Sequence, residues 1–584
     1  MKKHQLTALL LTISLLSSAA LAGCAKKDET TSTASTVTET SKDSSSKDSS
    51  EESSEEDDGL IPKDGGFTTV SYQFSEDQYR TFYEIFPYSF YDSDGDGIGD
   101  LNGITEKLDY LNDGDTTKTG DLGIDGIWLM PIMQSPSYHK YNVADYYTVD
   151  KAYGTNDDFK KLLDEAHKRH INVIIDLVIN HTSRECEWFQ KALEELKEGK
   201  TDGYAEYYHF EENRTDDGWR KAGVGDWYYE GDFDDDMPDL NLKNPAVREE
   251  LEKIVKFWLD MGVDGFRLDA VMWFESIEGK KGQHDDAGSI EDLKWLYQYA
   301  KTVKQDVYMV GECWSDSPNT IADYYKSGLD SFFNFQAQGA KGRIVTRVNA
   351  QNAAGYVEFL ESWQNQIDAN NPDAIDAKFL SNHDTVRSAE FLLTETKKRL
   401  AAMLYLISPG NPFIYYGEEI EAAGVNPPDP DVRRGMYWST LDAKGYVPKI
   451  PGGTKMDEEP EISVEAAQKD PDSLLNFYKR LIVLRNQNPE IARGKIKPVL
   501  FGDDKTTVAG YVSVYKKSAV FVLYNLGKTS ETVEIPKDTF TVSKVSGYVL
   551  GHVKDEANDK SYSDEIKLDG QKLTMPAESV FVLR

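Results

Sequence analysis

The chain has 584 residues, too many for one small core, so two or three domains are expected. Its formal net charge of -36 argues against nucleic-acid binding, which needs basic patches to release counterions from phosphates. Hydrophobic residues at 39% suffice for a packed core, and aromatics at 11% without a basic face suit neutral sugar rings.

The N-terminus reads as an export signal. Lys2 and Lys3 precede a largely apolar run from Leu6 to Ala20, and Leu21-Ala22-Gly23-Cys24 closely resembles a bacterial lipobox. Residues 1–23 are therefore expected to be removed, with Cys24 lipidated as the new N-terminus and the protein held on the outer face of the cell membrane. Residues 24–70 are Ser/Thr-rich and acidic, ending in Glu51-Glu52-Ser53-Ser54-Glu55-Glu56-Asp57-Asp58. Such a stretch cannot bury a core and should form a self-repelling tether. Cys186 and Cys313 lie too far apart to suggest a disulfide framework and are expected to be free thiols.

Residues 71–489 alternate short apolar runs with helical stretches. The strand candidates are Tyr83–Phe86, Gly126–Leu129, Val173–Leu177, Gly265–Leu268, Tyr308–Gly311, Ser331–Phe333, Lys378–Leu380 and Phe413–Tyr416. Eight strands with intervening helices predict an α/β fold, a closed parallel (β/α)8 TIM barrel. Residues 182–243, rich in Asp, Gly, Tyr and Trp, are too long for a loop and predict a subdomain inserted after the third strand. Residues 490–584 alternate without helical periodicity and predict a C-terminal antiparallel β-sandwich domain.

Acids and histidines gather where these strands end, which is where such barrels do their chemistry. The third strand carries Asp176 and runs on to Asn180-His181, and the fourth ends at Arg267 and Asp269. Glu312 follows the fifth, and His383 with Asp384 the seventh. Arg267 and Asp269 are two apart and share a face. A guanidinium beside a carboxylate favours the ionised form that a nucleophile requires.

A further signal is Asp92-Ser-Asp94-Gly-Asp96-Gly97-Ile98-Gly-Asp100. Side-chain oxygens of Asp92, Asp94, Asp96 and Asp100, with the Ile98 carbonyl, match the spacing of a Ca2+ loop. Position 12 is Gly103 rather than Glu, so a structural site is expected and not a sensor.

The segments Asp176-Leu-Val-Ile-Asn-His181, Gly265-Phe-Arg-Leu-Asp-Ala270, Gly311-Glu-Cys-Trp314 and Phe379-Leu-Ser-Asn-His-Asp384 together resemble the α-amylase superfamily of glycoside hydrolases, in that family's order. Met237-Pro-Asp-Leu-Asn241 resembles its fifth motif. The resemblance implies Asp269 as nucleophile, Glu312 as general acid and then base, and Asp384 as transition-state stabiliser. It implies Arg267 orienting Asp269, His181 and His383 bonding sugar hydroxyls, and Tyr141 stacking under the sugar. Trp227, Tyr228, Tyr229, Trp273 and Trp314 are candidates for outer sugar contacts. A second calcium site at Asn180 is also implied.

The expected activity is retaining, endo-acting hydrolysis of α-1,4 bonds in starch and related α-glucan oligosaccharides by a monomer. Ala270 and Asn142 favour the endo α-1,4 reading. Met272-Trp273, where many α-amylases have Lys-His, and the Met237–Asn241 segment keep neopullulanase, cyclomaltodextrinase, α-glucosidase and 4-α-glucanotransferase activities open. From a different class, a non-catalytic starch-binding surface protein is opposed by the retention of all three carboxylates.

Overall fold

The computed structural model describes residues 71–584 apart from 119, 215–217, 278–282, 455–461, 503–505, 552–553 and 556–559. The export signal, Cys24 and the tether lie outside the described residues.

Eight strands form a closed parallel barrel in chain order: β1 (Phe82–Ile85), β2 (Gly126–Leu129), β3 (Asn172–Leu177), β4 (Gly265–Leu268), β5 (Tyr308–Gly311), β6 (Ser331–Phe333), β7 (Ile375–Phe379) and β8 (Asn411–Tyr415). Each pairs with its sequence neighbours, and β8 closes on β1 with Phe82 opposite Phe413. Nearly every strand residue is buried, as expected of parallel strands covered on both faces. Aromatic rings fill part of the barrel: Phe82 stacks on Phe413 at 4.6 Å, and Phe333 meets Phe413 at 4.9 Å and Trp128 at 5.2 Å.

The outer helices begin and end on local signals. Helix Asn156–His167 starts with a capping box between Thr155 and Asp158. Helix Pro245–Met261 has Asn244 as its cap, Pro at its first position and Gly262 at φ 119° just past its end.

Between β3 and that helix the chain forms the inserted subdomain. Helix Glu187–Lys197 packs beside a three-stranded antiparallel sheet, in which Trp227–Glu230 lies between Phe210–Glu212 and Trp219–Lys221. A bridge between His181 and Asp239 ties it to the barrel rim.

After helix Leu474–Gln487, a five-stranded antiparallel sheet faces a three-stranded one. Alternation along Ser518–Asn525 explains their placement. Val520, Val522 and Tyr524 join the barrel's core, whereas Phe521 and Leu523 join a second core between the two sheets. Cys186 and Cys313 are buried and unbridged. Among the described residues no helix is long and apolar enough to cross a membrane.

Candidate active site

β3, β4, β5 and β7 bring their acids together around one guanidinium. Arg267, 0% exposed, places Nη1 2.8 Å from Asp176 Oδ1 and 2.5 Å from Asp269 Oδ1, and Nη2 2.7 Å from Glu312 Oε1. The first two contacts are aligned hydrogen bonds; the third is an ion pair without hydrogen-bond alignment. Arg267 therefore orients more than Asp269: it contacts three buried carboxyls at once.

The backbone turns sharply after Asp269. Ala270 sits in the left-handed region (φ 48°, ψ 40°), which costs on the order of 1 kcal/mol for a non-glycine residue. The turn aims the Ala270 N–H at Glu312 Oε2, 3.2 Å away. A β-branched residue would make this backbone costlier still, which gives alanine a structural reason to be here.

Glu312 is pushed up to about 8. Burial is the largest cause, and the charges of Asp269 and Asp384 add to it against the opposing Arg267. A carboxyl that keeps its proton to neutral pH is suited to general-acid work. Burial alone would also raise Asp384. Instead His383, 2.9 Å from its Oδ2, and Arg433, 2.8 Å from its Oδ1, hold it well below the usual carboxylate range. The two acids thus stand in opposite protonation states.

His383 is itself controlled from behind. Its Nδ1–H donates to Glu84 Oε1 at 2.6 Å, and its Nε2 lies 2.7 Å from the Tyr141 hydroxyl. Burial would lower its pKa, but Asp384 and Glu84 raise it to about 10, so the ring is an imidazolium. Both ring nitrogens are within hydrogen-bond reach of protein groups, Glu84 at Nδ1 and Tyr141 and Asp384 at Nε2. The Tyr141 hydroxyl donates to Asp176 Oδ2 at 3.0 Å, and its ring stacks on His383 at 5.5 Å. His181 is buried and neutral, its pKa lowered first by burial, with Nε2 3.2 Å from the Tyr141 carbonyl.

Glu84 and Arg433 are not singled out by the sequence, and Asp176 is noted there among the strand-end acids without a role of its own. Glu84 in Phe82–Ile85 and Asp176 in Asn172–Leu177 are lone acids inside apolar strands, and such a charge must find a buried partner. That signal was readable. Arg433 comes from the segment after β8, where no periodicity announces it. Phe233, 44% exposed and 5.3 Å from the His181 ring, was also missed. Asn142 is 3% exposed and accepts the Ser135 hydroxyl at 2.8 Å. Trp314 is 42% exposed and tilted against Phe335 at 4.9 Å.

Away from these carboxyls, Asp92, Asp94 and Asp100 bring one carboxylate oxygen each within 4.8 Å of one another. Asp96 does not join them; its carboxylate accepts the Ile98 N–H at 2.7 Å. Gly103, where an EF-hand loop has Glu, has no room for a side chain: a Cβ there would lie 2.0 Å from the Tyr91 carbonyl oxygen. Asn180 donates to Asp239 at 3.1 Å, but among the described residues no second cluster of three metal-capable groups forms there.

Residues 84–494 match the alpha-amylase family, in its catalytic domain. The chain belongs to the α-amylase family of glycoside hydrolases. It is 39% identical over 479 residues to "Alpha-amylase 3" of Dictyoglomus thermophilum, covering 80% of this chain and 89% of that one. It is 29% identical to an oligo-1,6-glucosidase of Parageobacillus thermoglucosidasius, covering 78% and 91%. The solved structure of Eubacterium rectale Amy13B superposes with a TM-score of 0.78 at 38% identity, covering 88% of this chain and 97% of that one. As a member of this family, the protein is a glycoside hydrolase acting on α-glucans.

Proposed function

We propose that this glycoside hydrolase is an α-amylase: it cleaves α-1,4 bonds within starch and maltooligosaccharides with retention at the anomeric carbon. The observation that carries this is the pair Asp269 and Glu312 bridged by one guanidinium, with Glu312 also bonded to the Ala270 N–H. Retention requires carboxyls about 5–5.5 Å apart, without the gap that an inverting enzyme fills with water. Glu312 donates its proton to the glycosidic oxygen as an Asp269 carboxylate oxygen attacks the anomeric carbon, and the leaving sugar departs with that proton. Glu312, now ionised, takes a proton from water, which hydrolyses the glycosyl ester and frees Asp269. Arg267 balances charge throughout. Asp384, kept ionised by His383 and Arg433, grips ring hydroxyls of the distorted sugar.

The relative named oligo-1,6-glucosidase favours a second reading, in which some α-1,6 bonds are cleaved. Digestion of maltoheptaose, which has only α-1,4 bonds, and of isomaltotriose, which has only α-1,6 bonds, followed by NMR of the first products, separates the outcomes. The expected result is α-anomers of several lengths. First-formed β-anomers would overturn retention, and glucose alone would overturn endo action.

The 92–100 loop fits Ca2+, because three hard carboxylate oxygens converge with no protein cation among them. Asp92, Asp94 and Asp100 would hold the ion, which would pin the loop after β1. For location, the reading is that Cys24 carries lipid and anchors the enzyme at the membrane. Fractionation of cells making the native chain and Cys24→Ala tests this. Native protein found unlipidated in the medium would end the anchoring proposal.

A further inference from the structure

Charge is unevenly spread along this chain. Residues 490–584 carry 14 Lys and Arg against 13 Asp and Glu, while the whole chain carries 65 against 101. The C-terminal domain is therefore near neutral beside a strongly acidic barrel, and strand order decides where its cations stand.

The five-stranded sheet runs in the order Lys495–Leu500, Val508–Tyr515, Ser518–Asn525, Ser579–Leu583 and Val545–Leu550, each strand antiparallel to the next. The starts of the first, third and fifth strands thus share one end with the finishes of the second and fourth. That end gathers Arg493 and Lys495 from the first strand's start, and Lys516 and Lys517 from the turn between the second and third. It also gathers Arg584 from the fourth strand's finish and Lys544 from just before the fifth. Lys495 pairs with Val514 across the ladder, Arg584 Nη1 lies 3.1 Å from Ser518 Oγ, and the Lys544 N–H donates to the Arg584 carbonyl at 2.9 Å.

Arg493, Lys495 and Arg584 are paired with Asp77, Asp368 and Glu490. Lys516, Lys517 and Lys544 are exposed and have no carboxylate partner among the described residues. Val514, 49% exposed, and the half-buried Tyr515 lie beside them, so this end offers apolar surface as well as positive charge.

Its direction follows from a cleft lined by Ser71, Arg80, Asp125, Arg493 and Lys516. Arg80 and Asp125 stand just before β1 and β2, at the N-terminal ends of the barrel strands, whereas Asp269, Glu312 and Asp384 follow the C-terminal ends of theirs. The unpaired lysines therefore lie at the barrel floor, away from the catalytic carboxyls. Ser71, the first described residue, is at the same place.

Unpaired lysines on an otherwise acidic protein select an anionic partner. Lysines beside a valine and a tyrosine match the interface of an anionic bilayer, where ammonium groups meet phosphates and phenols sit at headgroup depth. The acidic barrel is repelled by the same surface, so the two parts of the molecule orient it together.

We propose that this end of the C-terminal sheet is a docking surface for anionic phospholipid, which turns the catalytic rim away from the membrane and toward soluble glucan. The surface stands on its own charges; its use by an anchored enzyme rests on the Cys24 reading above.

The test uses the processed chain, residues 24–584, with Cys24→Ala so that no lipid is attached. It is floated with vesicles of phosphatidylcholine alone and of phosphatidylcholine with about one-third phosphatidylglycerol. At about 50 mM salt, partition onto the anionic vesicles should be about tenfold higher, and at about 0.5 M salt the difference should vanish. Lys516→Glu, Lys517→Glu and Lys544→Glu together should lower anionic partition about tenfold, with starch turnover and melting temperature unchanged. If that variant melts early, the three Lys→Gln changes replace it, with a loss of about threefold expected. Equal partition onto both vesicles, or full partition by the triple variant, would overturn the surface. Binding that emerges only once the acids of residues 51–58 are changed to Ser would mean that the lysines hold the chain's own acidic run, and would overturn it too. No arm carries lipid at position 24, so a failure of the anchoring reading leaves these outcomes untouched.

Discussion

Two buried acid clusters lie close to each other in this barrel and behave differently. Around Arg267, the carboxyls of Asp176, Asp269, Glu312 and Asp384 share two arginines and an imidazolium. Just beyond β8, the close side-chain donors to Glu418 and Glu419 are phenols, joined at Glu418 by the Ser381 hydroxyl at 3.4 Å. Tyr405 and Tyr478 donate to Glu418 at 2.6 and 2.9 Å, and Tyr83 and Tyr110 donate to Glu419 at 2.7 and 2.5 Å. With no cation in contact, burial dominates and pushes Glu418 up to about 7 and Glu419 upward. Fixed cations can split a cluster into one ionised and one protonated acid, whereas phenols leave both acids tending to protonate. The first arrangement can do acid and nucleophile chemistry; the second makes a packed, uncharged joint.

The comparison breaks most visibly at Asp269. Asp269→Asn keeps the shape and cannot form the glycosyl ester, so turnover of starch should drop by roughly 10⁴-fold or more. Near-normal rates from a folded variant would refute the assignment.

Glu84→Gln tests the control of His383. The amide oxygen still accepts from Nδ1–H, but the charge that raises His383 is gone, so the ring loses its proton at lower pH. In wild type, activity should decline as Glu312 deprotonates above about pH 8. In the variant kcat should fall about tenfold, and, because an uncharged His383 no longer lowers Glu312, the alkaline decline should move to higher pH. A pH–rate profile with an unmoved limb would show that Glu84 only fills space.

The 92–100 loop is a third arrangement, three clustered acids that the proposed Ca2+ would bind. Chelation should lower the melting temperature by several degrees, since an ion bound only by the folded state stabilises by mass action. Asp92→Ala with Asp94→Ala should abolish that response. If the double variant still responds to chelator, the ion is bound elsewhere.

The smallest effect is expected at Glu418. Its folded pKa lies above the unfolded one, so its contribution favours folding fully below about pH 4.5 and is lost as pH rises through about 7. Glu418→Gln keeps the tyrosine acceptor without the titration. Its melting temperature, relative to wild type, should be a few degrees higher at pH 8 than at pH 5. The same difference at both values would mean that Glu418 is ionised throughout.

The sequence determined the barrel, its insert and the β domain, because apolar runs and their periods are local records of which faces are buried. It also placed Asp269, Glu312 and Asp384 at strand ends, since strand end and chemistry coincide in such barrels. It did not determine what each acid would be. The state of Glu312 and Asp384 depends on burial and on Arg267, His383, Arg433 and Glu84, which come from β4, the segment after β7, the segment after β8, and β1. Glu84 and His383 are 299 positions apart in the chain and 2.6 Å apart in space. No sequence period encodes such a pair, because the interaction exists only once the barrel has closed.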